Sequence, residues 1–137
     1  MYLLDTNVIS ELRRPLPHGA VVAWLKSLDD AELFLSAVTI GELQAGVEIT
    51  RKRDPAKAAE IEAWLEAVAA TYNVLPMDAS AFRQWAKLMH GRSDELIEDA
   101  MIAATALTRR LIVATRDVRD FEGFGVETFD PFSHERR

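Results

Sequence analysis

The sequence predicts an α/β domain with a central, mainly parallel β-sheet of about four to five short strands flanked by helices. Short runs of consecutive apolar residues recur along the chain, and such runs are typical of strands that are buried on both faces. Longer segments with apolar residues at helical spacing separate these runs, and this alternation gives parallel strands joined by right-handed crossovers. With 137 residues, the chain has the length of one domain, which we expect to span residues 1–137.

The first predicted strand is the apolar run at the amino terminus, which leads directly into Asp5. Thr6 and Asn7 follow, a pair suited to capping the helix predicted at 8–14. In open α/β sheets, ligands bind beyond the carboxyl ends of the strands. Asp5 is therefore expected at the edge of the sheet where such a fold has its ligand-binding or catalytic site. It could also serve only as a helix cap.

The other elements follow from apolar spacing and from proline and glycine breaks. Further helices are predicted at 20–28, 40–52, 56–71, 78–90 and from 96 onward, the last being buried on most sides over 100–107. Further strands are predicted at 33–35, 73–75 and 111–114, with an edge strand at 126–129 and a tail from Pro131. Pro15 and Pro17 end the first helix, and the break at 51–55 is the expected tip of a helical hairpin.

Composition narrows the classes of function. The chain has no Cys, which excludes disulfides, zinc–thiolate sites and a thiol nucleophile. The net charge of −6, from 16 basic and 22 acidic residues, argues against a general nucleic-acid binder, unless the acids are gathered in a pocket where divalent cations offset them. We expect no signal peptide and no membrane span, and therefore a cytoplasmic location.

Several acids fall at the ends or starts of elements where a parallel sheet gathers its loops. They are Asp5 after the first strand, Glu42 and Asp99 early in two helices, and Asp117 after the fourth strand, with Asp120 three residues later. Crowded carboxylates raise each other's pKa unless a positive charge lies among them. Oxygen ligands without His or Cys suit Mg²⁺ or Mn²⁺, and the three histidines fall elsewhere in the sequence. Such a pocket typically serves phosphoryl chemistry.

Each acid also has a purely structural interpretation. Glu42 lies beside an apolar helix face and could point to solvent. Asp99 could favour the dipole of its helix, with its neighbour Glu98 as the more exposed acid. Asp117 and Asp120 could simply form a turn. A shared position at one sheet edge is harder to explain in this way than any single acid.

The stretches LLDTNVISELRRP, SAVTIGELQAG, EDAMIAATAL and LIVATRDVRDFEGFGVETFDPF resemble the PIN-domain ribonucleases of the VapC toxin family, close to its FitB-like branch. They span the chain in the family's order and spacing. The resemblance implies a PIN-like fold with a protruding helical hairpin. It also implies a Mg²⁺- or Mn²⁺-dependent endoribonuclease, the toxin component of a type II toxin–antitoxin system, in which water attacks an RNA phosphodiester.

The resemblance assigns roles to individual residues. Asp5, Glu42 and Asp99 match the three acids of the family's metal pocket, and either Asp117 or Asp120 takes the fourth place. The supporting residues in this match are Thr6 and Thr115 as hydroxyls near the site, and Asn7 as a helix cap and support for Asp5. Apart from the resemblance, Arg116 is expected to contact the RNA backbone, because its neighbour Asp117 is a candidate ligand.

The implied partners are a cognate VapB-type antitoxin, an RNA substrate and a second copy of the chain in a homodimer. Operator DNA would be bound only through the antitoxin, and no membrane is involved. The alternative is a catalytically degenerate PIN domain that only binds an antitoxin or other partner. A phosphatase of the haloacid-dehalogenase type would require Asp at position 7, where this chain has Asn7. A response-regulator receiver would need a Lys that follows its phosphoacceptor Asp, and no Lys of this chain completes that set.

Overall fold

The computed structural model describes residues 1–133. Its strands are β1 Tyr2–Leu4, β2 Leu33–Ser36, β3 Asn73–Leu75, β4 Ile112–Ala114 and β5 Thr128–Phe129. Its α-helices are α1 Thr6–Glu11, α2 Gly19–Lys26, α3 Ala37–Arg51, α4 Pro55–Thr71, α5 Ala79–Met89, α6 Ile97–Arg109 and α7 Val118–Phe121. Single 3₁₀ turns lie at Asp30–Glu32, Asp94–Leu96 and Glu122–Phe124.

The five strands form one sheet in the order β3-β2-β1-β4-β5, and each neighbouring pair is parallel. β1 lies at the centre, with Leu3 paired to Phe34 of β2 and to Val113 of β4. The predicted parallel sheet is confirmed, and β5 is an edge strand as expected. All carboxyl ends therefore meet at one edge, which is where the chemistry of such a sheet is expected.

Two apolar layers cover the sheet. Leu3 and Val113 pack on one face with Ile102 of α6 and Phe121 of α7. Leu4 faces the other side, in a cluster that includes residues of α1, α2 and α4. Successive side chains of a strand point to opposite faces, so the apolar run of β1 is buried on both sides.

The predicted helical hairpin consists of α3 and α4. Val47, Ala58 and Leu65 form a small core of their own between the two helices. Gln44 of α3 donates from Nε2 to Glu62 Oε2 of α4 at 2.9 Å. The two helices of the hairpin are thus joined both by apolar packing and by a hydrogen bond.

Helix starts differ from the sequence prediction where side chains cap them. The first helix begins at Thr6 rather than Val8, because Asp5 is its N-cap and accepts from the Thr6 amide at 2.8 Å. The predicted capping role of Asn7 is therefore wrong. Similarly, α3 begins at Ala37, since Ser36 Oγ accepts from the Val38 amide.

Further differences concern the end of the chain. The four-residue helix α7 was not predicted, because one turn is too short to show a period. The predicted tail begins as a turn at Pro131, and residues 134–137 lie outside the described part. None of the helices in residues 1–133 is long and apolar enough to cross a membrane.

Candidate active site

Asp5 lies at the carboxyl end of the central strand and is only 6% exposed. Its amide donates to Ala114 O at 2.9 Å, which extends the β1–β4 pairing by one residue. Its Oδ2 accepts from Thr115 Oγ1 at 2.7 Å. The carboxylate that caps α1 is thus also fixed at the edge of the sheet.

Asn7 connects Asp5 to the loop after β4. Its Nδ2 donates to Asp117 Oδ2 at 3.1 Å and lies 3.4 Å from Asp5 Oδ2, while its Oδ1 accepts from the Arg116 amide at 3.2 Å. In the same loop, the Asp117 amide donates to Thr115 Oγ1 at 2.9 Å. The predicted support of Asp5 by Asn7 agrees with this geometry.

Glu42 is brought to the site by a pair of threonines. Thr6 Oγ1 donates to Glu42 Oε1 at 3.0 Å and lies 3.2 Å from Thr39 Oγ1. Glu42 is on an exposed part of α3, yet its carboxylate is tied to α1 rather than free in solvent. Thr39 is fully buried and was not predicted, although its place one turn before Glu42 was available as a signal.

The pKa of Asp99 shows most clearly that the acids lie close enough for their charges to interact. Burial raises the pKa of Asp99 to about 7, and the charges of Asp5, Asp120, Glu42 and Asp117 contribute in that order. The side chain lies in the first turn of α6 and is partly exposed. The charges of the four other acids therefore act on Asp99.

The pKa values of Asp5 and Glu42 are also raised. Burial is the main cause that raises the pKa of Asp5, and its hydrogen bonds with Thr115 and Thr6 offset this only in part. Burial also raises the pKa of Glu42, against the hydrogen bond from Thr6. Removing water and crowding like charges both disfavour the ionised form.

Within residues 1–133, no Lys, Arg or His forms an ion pair with this cluster. The ion pairs in residues 1–133 join other residues, and none includes Asp5, Glu42, Asp99, Asp117 or Asp120. An uncompensated set of carboxylate oxygens has the donor chemistry that Mg²⁺ and Mn²⁺ prefer. The donors are not preassembled, since within the described chain no three His, Cys, Asp or Glu side chains are arranged to hold a metal ion.

The choice between Asp117 and Asp120 as the fourth acid stays open. Both are exposed, and both raise the pKa of Asp5 and of Asp99. Asp117 accepts from Asn7, whereas Asp120 lies one turn further on in α7. Exposed side chains can rotate toward an ion, so position alone does not separate them.

Of the other conspicuous residues, Glu98 adds to the raised pKa of Glu42. Trp24 is buried in the core beside Tyr2. His18 and His90 lie next to the ends of α2 and α5, and His134 is outside the described residues. Glu98 is exposed, as expected.

Glu11 is a buried acid that the sequence analysis did not single out. It is 5% exposed, and its Oε2 accepts from the His18 amide at 2.9 Å. Burial would raise its pKa, but this hydrogen bond and the charge of Arg14 bring the pKa below its ordinary value. Glu11 therefore closes the loop between α1 and α2. Its spacing of three residues from Arg14 was a usable signal.

Comparison with known proteins gives relatives along almost the whole chain. Toxin FitB of Neisseria gonorrhoeae is 40% identical over 146 residues, covering 96% of this chain and 99% of that protein. VapC ribonuclease Y4jK of Sinorhizobium fredii is 40% identical over 139 residues, covering 96% and 98%. A solved structure of FitAB bound to an IR36 DNA fragment has a TM-score of 0.85 and 35% identity, covering 99% of both chains.

The fold recurs in a wider group. DNA-bound VapBC from Salmonella typhimurium matches with a TM-score of 0.76 at 24% identity, covering 95% of this chain and 97% of that one. The PIN domain pattern matches residues 2–125, which includes Asp5, Glu42, Asp99, Asp117 and Asp120. The chain therefore belongs to the PIN domain family, with toxin FitB and a VapC ribonuclease among its relatives.

Proposed function

We propose that the chain is a metal-dependent endoribonuclease and the toxin of a type II toxin–antitoxin system. The observation that carries this proposal is the acid cluster at the carboxyl edge of the sheet, which has no ion pair within residues 1–133 and in which the pKa of Asp99 is raised to about 7. An unpaired cluster of this kind is costly unless a cation binds there. Relatives named as ribonucleases support RNA as the substrate.

In this proposal Asp5, Glu42 and Asp99, with Asp117 or Asp120, would hold Mg²⁺ or Mn²⁺. A bound ion supplies an activated water and offsets the charge of the phosphodiester. Thr115 and Asn7 hold the Asp5 carboxylate in place, and Thr6 does the same for Glu42. A cation bound there would favour the charged form of Asp99.

We also propose a VapB-type antitoxin as partner. Two adjoining cavities of about 390 and 220 Å³ share Leu12 and Tyr72, and they are lined mostly by apolar residues of α1, α2 and α4. An amphipathic helix suits such a groove. Toxin FitB and a solved member of the VapBC family of toxin–antitoxin systems, VapBC-5 from Mycobacterium tuberculosis at 29% identity, support this partner. A homodimer, and operator DNA bound through the antitoxin, complete the proposed assembly in the cytoplasm.

The experiment is cleavage of RNA by the purified, partner-free protein with Mg²⁺ or Mn²⁺. Cleavage should stop with EDTA and in the Asp5→Asn variant. Glu66→Gln removes an exposed acid of α4 away from the cluster and should leave cleavage unchanged. The folded state of each variant is checked by circular dichroism.

The alternative is a degenerate PIN domain that only binds its partner. Folded protein that binds Mn²⁺ but cleaves none of transfer, ribosomal or messenger RNA would support this alternative over the nuclease.

A further inference from the structure

The carboxy-terminal turn places an aromatic ring on an arginine beside the acid cluster. The guanidinium carbon of Arg116 lies 3.7 Å from the centre of the Phe132 ring. The turn itself is fixed, because the Phe132 amide donates to Asp130 Oδ1 at 2.9 Å. A guanidinium stacked on a ring keeps its N–H donors available in its own plane.

The ring also contacts the loop after α1. His18 contacts Phe132 edge-on, with ring centres 5.5 Å apart. The His18 amide is held by the buried carboxylate of Glu11. The Arg116 amide is held by Asn7. Both the backbone and the charged end of Arg116 are thus positioned.

Arg116 does not neutralise the acids next to it. It precedes Asp117 in sequence, yet no ion pair of Arg116 occurs within the described chain. Its charge instead helps to lower the pKa of Glu11, after burial and closer partners. Among residues 1–133, the guanidinium therefore contacts the Phe132 ring and forms no ion pair with the acids.

A cavity of about 360 Å³ opens at this point. It is lined by Arg116, Asp117, Val118, Arg119, Asp120 and Asp130. Two guanidinium groups thus border a space that shares Asp117 and Asp120 with the acid cluster. A backbone phosphate next to the one at the acids would meet these cations.

We infer that Phe132 is a positioning residue, which stacks on Arg116 and holds its guanidinium in this cavity as a contact for an RNA phosphate adjacent to the cleaved one. The inference rests on the proposed RNA substrate. Without the ring, the long side chain of Arg116 samples many rotamers and can pair with the neighbouring aspartates.

The test is the binding of a labelled single-stranded RNA, measured by fluorescence anisotropy between about 50 and 200 mM salt. The measurements use the Asp99→Asn background to prevent cleavage. Arg116→Gln should lower the slope of log affinity against log salt by about 0.7, the value for one phosphate contact on a single strand. Phe132→Leu should weaken binding about two- to fivefold, as expected for loss of one exposed cation–π contact.

Two comparisons separate positioning from general packing. Phe132→Tyr keeps the stacking ring and should bind like the parent, and Phe132→Leu should have no effect when Arg116→Gln is already present. Phe82→Leu removes an exposed ring of α5 and should leave affinity unchanged. An equal loss from Phe132→Leu in both Arg116 backgrounds overturns the inference, as does an absence of RNA binding.

The inference and the nuclease proposal fail separately. If the chain with Asp99 intact cleaves no RNA, but binding depends on the Phe132–Arg116 pair, only the nuclease proposal is overturned. If the chain cleaves RNA and Phe132→Leu changes neither affinity nor salt slope, only the role of Phe132 is overturned.

Discussion

Asp5 combines two roles that its sequence position allows as alternatives. One oxygen, Oδ1, caps α1, while the other accepts from Thr115 and lies near Asn7. Capping fixes the carboxylate rather than removing it from the cluster. The position of each acid could be predicted from where its element begins or ends. The side-chain network could not, because Asn7 and Asp117 are 110 residues apart in sequence.

Asn7→Ala should lower metal affinity and RNA cleavage by about 10- to 100-fold, the usual effect of losing a residue that orients metal ligands. The loss frees Asp117 and one side of Asp5. Metal affinity is measured by calorimetry with Mn²⁺. Asn73→Ala deletes an amide that binds Asp30 O and Leu33 O instead. If both variants bind Mn²⁺ equally, Asn7 does not support the site.

Asp99 should make the metal-free protein less stable as pH rises. Burial and the neighbouring acids raise its pKa from 3.8 to about 7 in the folded state, so the fold binds a proton that the unfolded chain has lost. The resulting stability is fully present below the unfolded pKa and is lost as pH rises through about 7.

We therefore expect the melting temperature of the protein in EDTA to fall between about pH 5 and pH 8. Asp99→Asn, which carries no charge at either pH, should show a smaller fall and a higher melting temperature at the upper pH. Parallel pH profiles of the two proteins would contradict the assignment of the raised pKa to Asp99.

At the scale of elements, the strands were the most predictable feature. Runs such as that of β1 are apolar on both faces, and burial on both faces is what the fold requires of a central parallel strand. Helix starts were less predictable, because Asp5 and Ser36 cap helices from the last residues of the strand regions. The helix α7 has four residues, fewer than any periodic pattern needs.

The α3–α4 hairpin depends on its own small core. Leu65 is 3% exposed and packs with Val47 and Ala58, so Leu65→Ala should cost about 2–5 kcal/mol of unfolding free energy. Ile49→Ala on the outer side of α3, where Ile49 is 66% exposed, should change it by about 0.5 kcal/mol or less. Urea denaturation measures both. Equal costs would mean that the hairpin is not held together by this core.

For the whole molecule, part of the acidic excess behind the net charge of −6 lies at one edge of the sheet. Asp5, Glu42 and Asp99 all have raised pKa values there. The fold thus holds carboxylates that repel one another close together at the site. The two apolar layers that pack on the sheet stabilise this arrangement. Anything that supplies positive charge to this edge should stabilise the entire domain.

Mg²⁺ or Mn²⁺ should therefore raise the melting temperature, since a ligand that binds only the folded state stabilises it by mass action. At a concentration of about 100 times the dissociation constant, the gain is about 2.7 kcal/mol. The gain should be larger at about pH 8 than at about pH 6, because protons compete with the ion for Asp99 below its pKa of about 7.

Screening of the acids by salt alone would also raise stability, so the control is NaCl at the same ionic strength. A specific site predicts a shift with Mn²⁺ that NaCl does not reproduce and that Asp5→Asn reduces. Glu66→Gln, an exposed acid elsewhere on α4, should keep the full shift. If NaCl gives the same shift, or if Asp5→Asn keeps it, the acids at the sheet edge only repel one another and do not form a metal site.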